Sequence, residues 1–274
     1  MPELPEVETV RRTLKNFILN VKITKISVVY HKIISGDVAA FAAAVSGQTI
    51  RDIDRVGKYL IFILDEIAFI SHLRMEGKYN IVSPEIPINR HEHIIFHLAD
   101  GRELRYQDTR KFGRMELVDR DRYRFQKPLN QLGPEPFAAD PDALYKRLSK
   151  SRIPIKALLL DQSIINGIGN IYANEICYRL KINPLTPGNQ ISLIQAKQLI
   201  QVASEILTDA IELGGTTIHS FDAGGISGRF QNELKMHAQK SCPTCQEPIT
   251  KIAVGGRGTY YCKTCQREGR YAEK

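Results

Sequence analysis

Four cysteines near the end of the chain constrain its fold more than any other feature. Cys242, Cys245, Cys262 and Cys265 are spaced as C-x2-C-x16-C-x2-C. Two C-x2-C pairs supply the four thiolates of a tetrahedral zinc site, and an all-cysteine set leaves no open position for chemistry. A module of about forty residues builds little core, so the metal would stabilise it directly. We therefore predict one structural zinc ion; the alternatives are an iron–sulfur cluster or a redox pair.

The residues between the two cysteine pairs predict a β-hairpin. The segments ITKIAV and RGTYYC flank Gly255-Gly256, which we assign as the turn. Arg257 lies at the tip, and its neighbouring glycines would let a backbone or a phosphate approach closely. The fifth cysteine, Cys177, falls among helix-forming residues and is predicted to be a buried core thiol.

The first residues are Met1-Pro2-Glu3-Leu4-Pro5-Glu6. If Met1 is removed, Pro2 becomes a free secondary amine with a carboxylate beside it. An α-amino group has a pKa of about 7.7–8.0 against about 10.4 for lysine, so more of it is neutral and nucleophilic near pH 7. Its attack on a sugar or carbonyl carbon would give an iminium that has no N–H to lose. The alternative is that these residues only begin the helix predicted by the apolar spacing after Val7.

Composition narrows the class of partner. A formal net charge of +8 favours a polyanion, most often nucleic acid. The acidic N-terminus is no signal peptide, and the longest apolar run, residues 59–64, is too short to span a bilayer. We therefore expect a soluble cytoplasmic protein, a setting that disfavours structural disulfides.

The pattern along the chain predicts an α+β protein of several domains. Short β-branched and aromatic segments up to about residue 118 favour a two-sheet sandwich, with a hairpin turn at Asp100-Gly101. A glycine- and proline-containing linker follows at residues 129–137, and helical patterns come next. The predicted domains are residues 1–130, 131–228 and 229–274, and the glycine-rich stretch 214–228 is predicted to be a mobile loop.

A glycine turn between two predicted helices forms a second candidate site. Gly167 and Gly169 permit a tight turn that directs backbone N–H groups outward, and Asn170 is predicted to cap the next helix. Such a turn binds anions, and a DNA phosphate would fit it. Taken alone, the same turn also serves ordinary helix capping.

Three distant motifs together resemble one family. PELPEVETV, NGIGNIYANE and the four-cysteine hairpin with GGRGT are similar, in order and spacing, to formamidopyrimidine-DNA glycosylase. The resemblance implies an N-terminal β-sandwich, a helix–two-turn–helix domain and a zinc finger, with damaged double-stranded DNA held in the cleft between. It also implies a monomeric bacterial enzyme, associated with the nucleoid, that removes oxidised purines and cuts the strand by β,δ-elimination.

The resemblance also implies roles for individual residues. Pro2 would be the nucleophile on the sugar C1′ and Glu3 the general acid. Lys58 would act near the phosphate in β-elimination, and Arg257 would grip a phosphate with Asn170 and assist δ-elimination. Further DNA contacts would come from His91, Arg110 and Arg152, the last where only a basic residue is expected. Met75, Arg110 and Phe112 would fill the space left by a flipped base; for Met75 and Phe112 the alternative is core packing.

Two other functions remain open at this point. The sister family, endonuclease VIII, shares the Pro-Glu start, the finger and the helical motif. It usually opens PEGPE, however, and lacks the RKFG stretch of residues 110–113. A zinc-finger protein that binds DNA without activity is the second alternative, but a pure binder needs neither an N-terminal amine nor Lys58. The 216–227 stretch is predicted to cap the lesion, without assigned contacts.

Overall fold

The computed structural model describes residues 2–216 and 228–267. The chain divides into two compact units, Met1–Asn130 with Gly214–Gly228, and Gln131–Leu213 with Arg229–Lys274. Most of the glycine-rich stretch predicted to cap a lesion, residues 217–227, lies outside the described residues, as does Met1. None of the helices in the described part is long and apolar enough to cross a bilayer.

Two helices flank the sheets of the first unit. Helix α1, Leu4–Ile18, buries Val10, Leu14 and Ile18 at the spacing expected from the sequence. Phe17, near the end of the same helix, is 41% exposed. Helix α2, Val38–Val45, begins where the Asp37 carboxylate accepts a hydrogen bond from the Ala40 N–H, an ordinary N-cap.

In the described part of the first unit, eight antiparallel strands form two four-stranded sheets. Their order is β1-β6-β7-β5 in one sheet and β2-β3-β4-β8 in the other. The Phe69 ring stacks on Phe62 of its own sheet at 4.6 Å and on Phe96 of the other sheet at 5.6 Å, so the sheets share one apolar core. This confirms the predicted sandwich. The strands are β1 Ile23–Val28, β2 Asp52–Val56, β3 Tyr59–Ile63, β4 Ile67–His72, β5 Lys78–Val82, β6 Glu92–Leu98, β7 Glu103–Gln107 and β8 Arg114–Asp119.

The second unit, as far as residue 267, consists of four α-helices, a hairpin and short connecting segments. The helices are α3 Pro141–Leu148, α4 Ile155–Leu160, α5 Asn170–Arg179 and α6 Leu193–Glu212, the last begun by a capping box between Ser192 and Gln195. The hairpin strands, β9 Thr250–Val254 and β10 Arg257–Tyr261, turn at Gly255-Gly256 as predicted, both with positive φ. Short 3₁₀ helices span His31–Ile33, Tyr123–Phe125, Leu129–Gln131, Pro136–Ala138, Gly188–Gln190 and Phe230–Glu233.

Candidate active site

The predicted nucleophile and acid lie at the start of α1, where both residues are buried. Glu3 is the N-cap residue and is 1% exposed. Its backbone N–H donates to Glu6 Oε2 at 2.8 Å, one half of a capping box. The first helical turn therefore fixes the orientation of the Pro2–Glu3 peptide group.

Glu6 also anchors the root of the glycine-rich stretch. Its second oxygen, Oε1, accepts hydrogen bonds from the backbone N–H of Thr216 at 2.8 Å and from the Thr216 hydroxyl at 3.0 Å. Gly215 has φ +81°, and a Cβ there would approach the Glu6 side chain to 2.8–3.1 Å. One buried carboxylate thus joins the N-terminal turn to the residue that precedes the predicted lesion-capping segment. The sequence alone gave no sign of this role.

Lys58 lies in the two-residue turn between β2 and β3 and is only 6% exposed. The preceding Gly57 has φ +57°, whereas Lys58 is not among the residues with positive φ. These signs match a type II′ hairpin turn, which needs glycine at its first central position.

His72, at the end of β4, is a functional candidate that the sequence did not reveal. It is buried opposite Tyr59, the residue that follows Lys58, and its Nδ1 accepts a hydrogen bond from the Arg74 N–H at 2.9 Å. Burial, together with the nearby charges of Arg74 and Lys58, lowers the pKa of His72 to about 3. A neutral ring with Nδ1 engaged carries its proton on Nε2 and can donate there. A single histidine at the end of an apolar strand forms no sequence pattern that would identify it as a functional residue.

The loop with Arg110 and Phe112 is held by Asp108. This fully buried carboxylate accepts from the Arg110 N–H at 3.0 Å and from the Gly113 N–H at 2.8 Å. The loop therefore presents Phe112, which is 48% exposed with the Arg110 guanidinium 4.8 Å from its ring centre. Core packing is thus excluded for Phe112. The half-buried His91 borders this loop, because its carbonyl accepts from the Asp108 N–H at 2.9 Å.

A single tyrosine links this loop to the one that carries Met75. The buried Tyr106 hydroxyl would lie 1.7 Å from a Cβ built on Gly113 and 2.4 Å from one built on Gly77. Only glycine fits at either place, so the two loops pack against the same hydroxyl. Met75 is partly buried in the loop before Gly77.

Asn170 lies close to the segment that carries Arg257 in the second unit, but it does not play the capping role predicted for it. The N-cap of α5 is Gly169, and Asn170 is the first helical residue. Asn170 therefore does not cap the helix: its Nδ2 donates to the Gly258 carbonyl at 3.0 Å, beside Arg257. The fully buried Lys156 holds the same strand, with Nζ 3.0 Å from the Gly258 oxygen and 2.7 Å from Thr259 Oγ1.

These contacts fix the exposed Arg257 next to the start of α5. The other predicted contact, Arg152, is exposed in the segment between α3 and α4.

The four cysteines of the finger fit one zinc ion. Their sulfur atoms all lie within 4.8 Å of one another, with Cys242–Cys265 at 3.8 Å and Cys245–Cys262 at 3.5 Å. Zinc–sulfur bonds of about 2.3 Å in a tetrahedron place sulfur atoms about 3.8 Å apart. Cys177 lies apart from this set in α5; as predicted it is buried, and burial raises the pKa of its thiol to about 12.

Family models match all three parts of the chain. Residues 1–115 match the formamidopyrimidine-DNA glycosylase N-terminal domain, and residues 132–222 match the H2TH domain of the same enzyme. Residues 240–267 match a zinc finger found in that glycosylase and in isoleucyl-tRNA synthetase. The chain belongs to the formamidopyrimidine-DNA glycosylase family.

Relatives in this family match over nearly their full length. The formamidopyrimidine-DNA glycosylase of Oceanobacillus iheyensis is 47% identical over 273 residues, which cover 97% of this chain and 98% of the relative. That of Bacillus licheniformis is 43% identical, over 98% and 100% of the two chains. The Lactococcus lactis enzyme bound to DNA with an abasic site superposes with a TM-score of 0.92 at 39% identity, over 97% and 100% of the chains.

Membership of this glycosylase family confirms the predicted fold class and the structural zinc ion. It also identifies the protein as a DNA glycosylase with lyase activity at abasic sites. The alternative of a zinc-finger protein that only binds DNA is therefore set aside. The zinc supplies no chemistry to the reaction, since four thiolates fill its coordination shell.

Proposed function

We propose that this enzyme excises oxidised purines, 8-oxoguanine and formamidopyrimidines, from double-stranded DNA in base-excision repair, with Pro2 as nucleophile. The carrying observation is the buried start of α1, where the Glu3 backbone is held by Glu6 and the Glu3 carboxyl lies next in sequence to the amine. The glycosylase relatives support the substrate class. So does the Lactococcus lactis enzyme in complex with a DNA containing an N7-benzyl-formamidopyrimidine nucleotide.

In the first step the Pro2 nitrogen, free once Met1 is removed, attacks C1′ of the damaged nucleotide. The C1′–base bond breaks, and the base leaves with the proton that the Pro2 nitrogen loses. Glu3 donates a proton to the sugar ring oxygen as the ring opens, and the nitrogen lone pair forms the C1′ iminium. Because a secondary amine forms this iminium, the nitrogen keeps its positive charge and withdraws electrons from the sugar.

The iminium drives strand cleavage in two eliminations. Loss of a proton from C2′ expels the 3′ phosphate, and a second elimination expels the 5′ phosphate, leaving a one-nucleotide gap. Lys58 serves the β-elimination and Arg257 the δ-elimination, each as a cation near a departing phosphate. Hydrolysis of the iminium then returns the free amine and releases the sugar fragment.

The proposed DNA binding combines phosphate contacts with a wedge, the three side chains of Met75, Arg110 and Phe112 that enter the base stack. Asn170 and Arg257 hold the phosphate of the flipped nucleotide, and His91, Arg110 and Arg152 add contacts whose strength falls as salt is raised. Met75, Arg110 and Phe112 fill the vacated stack, which offsets unstacking that costs a few kcal/mol. The exposed Phe112 and the common anchoring of its loop with that of Met75 support this role. We propose that the enzyme acts as a monomer on chromosomal DNA.

Borohydride trapping tests the proposal directly. Protein with Pro2 at its N-terminus should be trapped covalently on a duplex with 8-oxoguanine, and mass spectrometry should place the adduct on Pro2. Protein that keeps Met1, made by blocking its removal, should be neither trapped nor active. Full strand cleavage by protein shown to retain Met1 would overturn the mechanism.

A further inference from the structure

The turn that carries Lys58 is braced from α1, the helix that begins two residues after Pro2. Arg55 Nη1 donates to the Gly57 carbonyl at 3.0 Å, so the guanidinium holds the peptide group between Gly57 and Lys58. Rotating that peptide by half a turn converts a type II′ hairpin turn into a type I′ turn. Type I′ needs positive φ at both central residues and would turn the Lys58 side chain to a different direction.

Arg55 is itself held by Glu8, on the second turn of α1. Its Nε lies 3.0 Å from Glu8 Oε2, and both side chains are nearly buried. Glu8 also accepts hydrogen bonds from Arg11 and Arg12, at 2.7–2.9 Å. Burial raises the pKa of Glu8, but the hydrogen bonds from these three arginines outweigh it and lower the value to about 2. The carboxylate is therefore charged at any working pH.

The contacts from Glu8 to Arg55 and from Arg55 to Gly57 do more than hold α1 against β2. Two other contacts already join these elements: Lys15 and Asp52 form an ion pair of 2.5 Å, and Arg11 Nη1 donates to the Ile53 carbonyl at 3.3 Å. Arg55 alone among these reaches past the strand into the turn. Removing it should leave the helix docked and remove the contact with the Gly57 carbonyl that opposes rotation of the Gly57–Lys58 peptide.

We propose that Glu8 and Arg55 are positioning residues that set the direction of Lys58 relative to the N-terminal amine. The inference rests on the proposed role of Lys58 in strand cleavage. Both residues act through the turn and neither needs to touch the reacting sugar. A displacement of about 1 Å in a catalytic group can cost on the order of a hundredfold in rate, so a modest change in the turn should be measurable.

Single-turnover cleavage of a duplex with a preformed abasic site tests this, with enzyme in excess. Arg55→Lys keeps the charge but loses the planar fork that reaches both Glu8 and Gly57. It should slow β-elimination by about ten- to a hundredfold, while affinity for an uncleavable tetrahydrofuran analogue stays unchanged. Glu8→Gln, which leaves Arg55 in place, should slow it in the same direction. Asp52→Asn breaks the other helix–strand ion pair and should cleave at the wild-type rate.

A double-mutant cycle separates positioning from a general structural role. In a Lys58→Met background, Arg55→Lys should cause no further loss, because the group it positions is gone. An equal loss with and without Lys58, or a wild-type rate for both Arg55→Lys and Glu8→Gln, would overturn the inference while Lys58 keeps its role. A wild-type rate for Lys58→Met would instead show that the proposed function of Lys58 is wrong.

Discussion

The carboxylate of Glu6 binds Thr216, 210 positions away in sequence, through both the backbone N–H and the hydroxyl. Its other oxygen accepts from the Glu3 N–H. The N-terminal turn and the root of the glycine-rich stretch therefore share a single buried acceptor group. Displacing Thr216 would therefore break a contact with the turn that holds Glu3.

Glu6→Gln should damage both ends of this contact. An amide has one acceptor oxygen, so its NH₂ must face the backbone N–H of either Glu3 or Thr216, and that donor is left unsatisfied. A buried unsatisfied donor costs about 1–3 kcal/mol. We expect a loss of this size in the free energy of unfolding, and base excision from an 8-oxoguanine duplex should slow. Chemical denaturation and single-turnover excision measure the two effects.

The exposed Glu66, in the same unit, provides the matched control. Glu66→Gln should change neither quantity. If Glu6→Gln were as stable and as active as the control, the Glu6–Thr216 contact would contribute neither to stability nor to base excision.

The zinc ion should be required for DNA binding, since Arg257 lies on the hairpin between the two cysteine pairs. Cys245→Ser should lose the metal, unfold β9 and β10, and release Arg257 from its place beside Asn170. We expect elemental analysis to show one zinc per wild-type chain and none in the variant, and fluorescence anisotropy to show weaker DNA binding. Cys177→Ala, outside the cluster, should keep its zinc. Active protein without zinc would refute the assignment.

The sequence predicted elements well where local pattern and local turn agree. The β9–β10 hairpin is marked by Gly255-Gly256 and lies where expected. Strand β2, Asp52–Val56, ends at Val56 because the turn at Gly57 fixes Val56 opposite Tyr59. Strand β5 is short, and its pairing with β7 defines it.

The sequence marked residues of the candidate site, but not the contacts that those residues make. Asn170 was predicted to cap α5, but its side-chain amide donates to the Gly258 carbonyl, 88 positions away, and Gly169 takes the capping position. Glu6 and His72 were missed because their roles depend on partners distant in sequence or on burial. Periodicity and turn chemistry report neighbours along the chain, whereas these roles come from tertiary packing.

The wedge should matter only where a base stack has to be opened. Met75→Ala combined with Phe112→Ala should impair excision from a paired 8-oxoguanine duplex far more than cleavage of an abasic single strand. Stopped-flow fluorescence with a base analogue beside the lesion would follow flipping directly. Equal losses on the two substrates would point to a packing role, which the partly buried Met75 would then carry.

Glu3 should separate the two activities of the enzyme. Base removal needs a proton delivered to the sugar oxygen as the ring opens, and general acid catalysis of this kind is worth about a hundred- to ten-thousandfold. A preformed abasic site already has an aldehyde at C1′ in its open form and no longer requires that proton. Glu3→Gln should therefore remove most excision of 8-oxoguanine while sparing much of the cleavage at an abasic site.

Pro2→Gly tests the other half of the same step. A primary amine can still form an imine, but less productively, so both excision and abasic-site cleavage should fall together. The glutamine of Glu3→Gln is nearly isosteric with glutamate and leaves the backbone N–H to Glu6 in place, so the start of α1 should be preserved. Rates on both substrates, measured under single-turnover conditions, decide the matter. If Glu3→Gln lowered both by the same factor, Glu3 would be positioning the helix or the amine and not donating the proton.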